Sequence, residues 1–447
     1  FAANDIFMTK EATNLSKGVF TVCKIKKGKC PPWTLKAKNI KHDKIKKTIY
    51  YDKATLKIYD VPIFYFPKFF HPDPTIKRQS GILPPFFTNS TTVGTGTAIP
   101  YYWAISKNKD FTFTPKIYTK ENILLLNEYR QAFRNGFLTL DSSYTQGYKN
   151  TSPTKTDGSR NHIFANLDFN FSEKEDYESN LSFKVQRTSN DTYFRIHDIN
   201  TELVNSENTT LENLIKYNFS TADMYMNVEA KVFEDLREKK KSDRYEYALP
   251  NIMYGKTFFS EKFGSLDFKS NALYNEYETN KTKTFLTNDI IWNPLNYITK
   301  KGFINSIQGM LRNTNYETKN TGEYKDSGQV NELSGVLAYK SSLPLKKDKL
   351  NYSNLFSPNF MLRYAPGHMK SLSGKDVSFN YTNLYSLNKT SEIEDGLSAI
   401  LGFDYKINKK KENGIDSEKF SLSLGQVFNY EKNSDMPAKS SLDQEMS

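Results

Sequence analysis

A chain of 447 residues is long enough for two or three ordinary domains, or for one large barrel with an appendage. Its mean hydropathy is −0.66 and its longest plain aliphatic run is Ile123, Leu124, Leu125 and Leu126, which excludes a membrane-spanning helix. It does not exclude a β-barrel, whose strands need only ~9–11 residues and are apolar on one face. The net charge of +12 is scattered along the chain, and with no helix, zinc module or RNA-binding sheet motif to carry it, no nucleic-acid partner is expected.

Tyr (29) and Phe (32) far outnumber Trp (3), which suits strands and aromatic girdles; an AT-rich genome would give the same excess, so composition alone does not decide.

Residues 1–66 read as short strands of a soluble β domain. In 33–42, Leu35 and Ala37 alternate with Lys36 and Lys38; in 48–58, Ala54, Leu56 and Ile58 alternate with Lys53 and Lys57. One face is apolar and the other wet. The aromatic stretch 61–70 carries Pro62 and Pro67, which no interior ladder strand would hold. Cys23 and Cys30 have no partners at zinc spacing, since His42, His71, His162, His197 and His368 are dispersed, so no metal site is expected. An oxidised pair in a periplasmic compartment is the physical alternative.

Residues 67–81, with His71-Pro72-Asp73-Pro74-Thr75 at their centre, read as a stiff, extended linker. From residue 82 to 447 two-residue alternation recurs between polar breaks. Phe111, Phe113 and Ile117 share a face, as do Ala165, Leu167, Phe169 and Phe171, then Leu181, Phe183 and Val185. Further faces are Met224, Met226, Val228, Ala230 and Val232; Val377, Phe379, Tyr381 and Tyr385; and Phe420, Leu422, Leu424, Phe428 and Tyr430. A β-sandwich would close after about 100 residues. Persistence of the pattern predicts instead a large antiparallel transmembrane barrel with about 15–18 strands present. Basic runs such as Lys239, Lys240 and Lys241 fall in expected loops. Phe1 is not a Met, no signal peptide precedes it, and 440–447 is polar, so the chain reads as a fragment.

No catalytic or cofactor motif stands out. Gly94-Thr95-Gly96 lacks the third glycine and following helix of a dinucleotide loop, and Glu173 and Glu175 lie in a charged turn. The reading is a non-enzyme without cofactor.

Phe20-Thr21-Val22-Cys23, Pro32-Trp33-Thr34-Leu35 and Lys41-His42-Asp43 form a recognisable series. It continues through Asp60-Val61-Pro62-Ile63-Phe64-Tyr65-Phe66-Pro67, His71-Pro72-Asp73-Pro74-Thr75, Lys77-Arg78-Gln79-Ser80-Gly81-Ile82-Leu83 and Pro100-Tyr101-Tyr102-Trp103. In identity and spacing this series resembles the LptD family, the lipopolysaccharide-assembly or organic-solvent-tolerance (OstA-like) outer-membrane proteins. The match runs from about Phe20 to Arg130; beyond it only the alternation speaks. The resemblance implies the C-terminal end of a periplasmic β-jellyroll (1–66), a Pro-rich linker (67–81) and the N-terminal portion of an outer-membrane barrel (82–447). It implies lipopolysaccharide passed from an LptA-like periplasmic bridge into the jellyroll. A barrel plugged by an LptE-like lipoprotein then releases it sideways among outer-membrane lipid.

Three sets of residues follow from it. Pro85 and Pro100, with Pro84 adjacent, match the positions of a lateral gate; the other reading is that they only start strands or shape turns. Leu35, Ala37, Leu56 and Ile58 either line an acyl-chain path or are plain core. Cys23 matches a position that in the family pairs with a cysteine near the end of the barrel, a segment this chain lacks; a local Cys23/Cys30 bridge stands beside it. The competing function is a passive porin or another outer-membrane transporter barrel.

Overall fold

The computed structural model describes residues 3–21, 32–73, 75–76, 78–149, 157–172, 176–278, 280–321, 328–367, 369, 371–372, 379–410, 417–436 and 442–446. Cys23 and Cys30, and the pair Glu173 and Glu175, lie outside them. The chain is all-β and divides into two compact units: Phe1–Gln131 with Ser143–Ser159, and Ala132–Ser142 with Arg160–Ser447.

The first unit opens with a five-stranded antiparallel meander, β1 (Asp5–Met8), β2 (Ala12–Phe20), β3 (Trp33–Asp43), β4 (Thr48–Ile58) and β5 (Val61–Pro72). Pro62 and Pro67 sit in β5, at the margin of this sheet, where a missing N–H breaks no interior ladder. The strand runs on to Pro72 and so takes in the first residues of the segment read as linker.

The buried set of this sheet is Leu15, Phe20, Leu35, Ala37, Ile40, Ile49, Tyr51 and Ala54. Strict alternation finds Leu35, Ala37 and Ala54 but not Ile40, Ile49 and Tyr51, whose parity is opposite. The reason is a row of irregular residues. Each ladder skips one residue on both strands at the same level: Lys17 and Lys38, Lys38 and Lys53, then Lys53 and Pro67. Lys17 and Lys53 have φ of 49° and 52°, in the left-handed region. One such residue turns the strand so that the inward face passes from one parity to the other. Gly18 beside the row admits Ile40: a Cβ there would stand 2.4 Å from Ile40 Cδ1. Gly18→Ala should therefore cost about 1–3 kcal/mol through overpacking. Unfolding followed by Trp33 fluorescence, with Trp103 and Trp292 replaced by Phe, would read it as a lowered midpoint.

The same unit continues with β6 (Gly81–Ile82), β7 (Phe86–Ser90), β8 (Gly94–Ala98), β9 (Tyr101–Ser106), β10 (Lys109–Tyr118) and β11 (Leu124–Ala132), whose last residue passes the division. Gly94, Thr95 and Gly96 are thus strand residues. In β10 Asp110, Thr114, Lys116 and Tyr118 are buried, while the alternate residue Ile117 is 49% exposed.

β12 (Gly136–Thr145) spans the division between units. The second unit then runs through β13 (Arg160–Asn170), β14 (Tyr177–Thr188), the short helix α1 (Tyr193–His197), β15 (Thr210–Thr221), β16 (Met224–Asp235), helix α2 (Lys241–Arg244) and β17 (Tyr245–Ser260). Next come β18 (Gly264–Tyr277), β19 (Lys281–Asn293), β20 (Tyr297–Ile298), β21 (Ile304–Lys319), β22 (Val330–Ser342) and β23 (Leu345–Asp348), and finally β24 (Tyr352–Ala365), β25 (Gly396–Lys409) and β26 (Ser417–Asn429). The two helices are single turns in connections, not foreseen from the alternation. From β13 to β26 the pairing is antiparallel between successive strands. β6 with β7, β8 with β9, and β22 with β23 are halves of broken strands. Counting each as one and setting β20 aside, the wall strands after the meander number 17 among the described residues, within the 15–18 expected.

Burial in these strands is inverted. Asp141, His162, Glu229, Asp289 and Arg363 are buried, while Ile163, Ile215, Leu286, Leu311 and Leu337 are 40–56% exposed. A soluble sheet hides its apolar row; this one hides its polar row and presents hydrocarbon, the arrangement stable against lipid.

Of the face expected from Val377, Phe379, Tyr381 and Tyr385, Val377 lies outside the described residues and the described ones are not in a strand. Residues 379–385 form turns, not a ladder; Phe379, Leu384 and Tyr385 pack on Ala338, Met361, Ile400 and Val427 of the wall. Gly402 and Gly425, paired across β25 and β26, leave room for them: a Cβ at Gly425 would stand 2.1 Å from Leu384 Cδ2. Arg363, 1% exposed, holds the returning chain by donating to Asn388 Oδ1 (3.0 Å) and to the carbonyl oxygens of Leu387 and Glu394.

Candidate functional site: the junction of the meander and the first wall strands

The described residues around the end of β5 and after it are held by side-chain hydrogen bonds. Asp73 accepts from the Thr75 N–H (2.8 Å), which holds its carboxyl below the usual range, and pairs with His42 Nε2 at 2.6 Å. His71 donates from Nδ1 to the Pro72 carbonyl (2.7 Å) and accepts at Nε2 from the Tyr51 hydroxyl (2.7 Å). Burial pushes the Tyr51 phenol well above its ordinary range, so it stays a donor. Phe20, Tyr51 and Phe69 surround the His71 ring at centroid distances of 5.0–6.1 Å.

Arg78, Gln79 and Ser80 then each bond to a strand on one side or the other of the segment. Arg78 donates to Tyr102 Oη (2.9 Å), to the Lys107 carbonyl (2.6 Å) and to Asp110 Oδ2. Gln79 donates to Thr48 Oγ1 in β4 (3.3 Å). Ser80 Oγ accepts from the Ala104 N–H of β9 (2.9 Å). Asp110, 10% exposed at its side chain, also accepts from Arg130 Nε (2.9 Å) and Tyr102 Oη (3.3 Å). One carboxylate thus ties the segment to β9, β10 and β11. Sequence reading quoted Arg78 within a motif without a role and passed over Asp110. The available signal was a charged residue on the inward parity of β10.

The prolines fall just beyond. Leu83, Pro84 and Pro85 interrupt the strand between β6 and β7; Ile99 and Pro100 interrupt it between β8 and β9. The two gaps face each other, since the Leu83 N–H donates to the Pro100 carbonyl (2.8 Å). Pro84 and Pro85 are exposed and Pro100 is buried. The gaps therefore bring three residues without an N–H to one level of adjacent strands.

Of the apolar candidates, Leu35 and Ala37 are packed core and Leu56 is partly buried against it. Ile58, 43% exposed at the end of β4, is outside that cluster. It is the last residue of β4 and faces Trp33, the first of β3. Beside Leu56, Phe64, Phe66 and Phe69 of β5 form a ring series with centroids 4.7 and 5.0 Å apart. Phe64, 58% exposed, carries this apolar series to the sheet rim.

A family model described as LptD, LPS transport system D, matches residues 158–447, about two thirds of the chain. The chain is 28% identical over 225 residues to the LPS-assembly protein LptD of Nitrosospira multiformis, covering 50% of this chain and 23% of that protein. With LptD of Shewanella oneidensis identity is 32% over 184 residues, 38% of this chain and 24% of the relative. With that of Shewanella frigidimarina it is 25% over 281 residues, 59% and 34%. The chain spans between about a quarter and a third of the length of these curated relatives. The inverted wall, the meander and the extended family match lead to one assignment: this chain belongs to the LptD family.

Proposed function

We propose that the chain is part of an outer-membrane translocon that takes lipopolysaccharide from the periplasmic side through the apolar sheet of β1–β5 and releases it sideways where β6 to β9 are broken. The observation that carries the reading is that one compact unit holds both the apolar meander and the proline-broken strands, joined by a segment pinned at Asp73, Arg78, Gln79 and Ser80. Acyl chains entering at the rim of Leu56, Phe64 and Phe66 gain ~0.8 kcal/mol per buried CH2. Pro84, Pro85 and Pro100 then keep the first wall strands poorly laddered, which lowers the cost of parting them. An LptA-like bridge would deliver the cargo, and an LptE-like lipoprotein would fill the barrel. A passive pore would need neither the pinned junction nor an apolar rim.

A photo-crosslinking residue at Leu56 should yield a lipopolysaccharide adduct in cells, and one at Lys36, on the wet face of β3, should yield far less. Equal labelling at both positions, or none at Leu56, would remove the acyl path.

A further inference from the structure

A second proline-marked break lies in the wall, in one strand only. Leu343 and Pro344 part β22 from β23, and the Leu343 N–H donates to the carbonyl of Pro358 in β24 (3.1 Å). Over this break lies an apolar groove of about 800 Å3, lined by Phe303, Leu343, Pro358, Phe360, Leu401 and Leu424. Leu401 and Leu424 are 51% and 53% exposed, which places the groove on the outward, hydrocarbon-presenting face. A second groove of about 660 Å3, lined by Trp292, Leu295, Tyr297 and Ile307, adjoins it; Phe303 and Ser341 line both. At their meeting point Asn305 Oδ1 accepts from Tyr339 Oη (2.7 Å) and Ser341 Oγ (2.8 Å), a polar step between two apolar channels.

The charge beside the grooves is one-sided. Thr299 and Phe303 line the second groove and close a turn through the Thr299 N–H and the Phe303 carbonyl (2.9 Å); between them stand Lys300 and Lys301. β23 and the residue after it add Lys346, Lys347 and Lys349 beside one acid, Asp348, which pairs with Lys346 (3.2 Å) and Lys410 (3.0 Å). Trp292, Tyr297 and Tyr339 sit at the same level, where amphipathic rings mark the boundary between hydrocarbon and headgroups.

We propose that the double groove binds one two-chain anionic phospholipid, an acyl chain in each channel and the phosphate at the lysine turns. Two channels meeting at a polar step match the forked shape of such a lipid, and the lysine excess matches its charge. The proposal rests on the outward face lying in a membrane and is independent of the cargo.

The test uses the full-length protein in vesicles of phosphatidylglycerol or phosphatidylcholine, each doped with a lipid carrying a diazirine on one chain. Adducts should concentrate on peptides containing Phe303, Leu401 and Leu424. They should exceed those at Ile215, an outward residue in the middle of β15, only in phosphatidylglycerol. The Lys300→Gln/Lys301→Gln variant should lower this labelling by about tenfold. Ser341→Trp, which fills the junction, should abolish the excess; heat-modifiable migration on gels checks that each variant is folded. Labelling equal at all outward strands, or equally concentrated in both lipids, would overturn the site. Labelling of no outward strand would instead overturn the membrane reading beneath it.

Discussion

Asp110→Ala should free the segment 73–81 from the wall strands and raise its cleavage by protease about tenfold or more. The substitution leaves the Arg78 guanidinium without its carboxylate and Arg130 with only the longer contact to Glu128 (3.4 Å). Breaking a fully buried pair in this way costs ~3–5 kcal/mol. Both arginines are 35% exposed at the side chain, so water offsets part of that and roughly 2 kcal/mol is expected. Arg78→Ala should cost less, because Asp110 keeps Arg130. The double variant should show coupling of about 0.5–3 kcal/mol. Additive effects would mean that the carboxylate does not hold the segment. Under the proposed function, export should fall together with protection from cleavage.

Replacing Pro85 and Pro100 together with Ala should lower lipopolysaccharide export while leaving the barrel as stable or more so. Each alanine returns an N–H to a position that now has none, and each bond regained is worth roughly 0.5–1.5 kcal/mol. If β6 to β9 must part for release, two bonds slow that step by about tenfold or more. Surface lipopolysaccharide measured by whole-cell labelling, beside the heat-modifiable mobility of the barrel, separates a tighter seam from a misfolded protein. Export unchanged in a folded variant would remove the gate.

The alternation in sequence was enough to reach an all-β chain with a long wall, because period two survives wherever one face meets lipid and the other does not. It failed where a different cause produces the same spacing. Phe379, Tyr381 and Tyr385 alternate, yet they belong to turns in which Asn380 Oδ1 accepts from the Thr382 N–H and Asn383 Oδ1 from that of Asn380. The Asn-Tyr-Thr-Asn run was the readable warning. It also failed inside the meander, where a left-handed residue at Lys53 reverses parity and a lysine gives no hint of doing so. Ile58 has the parity of Leu56, yet it ends β4 and stays exposed outside the core cluster. The junction was legible as prolines and hidden as chemistry: Arg78 and Asp110 lie 32 residues apart, and the pairing of β6 with β9 and of β9 with β10 brings them together.

The aligned row of Lys17, Lys38, Lys53 and Pro67 also bears on how the meander assembles. In a uniform ladder, a neighbour shifted by two residues keeps every side chain on its proper face and is hard to reject. Here each strand changes face at one fixed point. A shift by any amount sets one strand's reversal against its neighbour's regular backbone, leaving part of the apolar row wet. The row works as an index mark, admitting one alignment of the four strands and making every slipped one a poor fit.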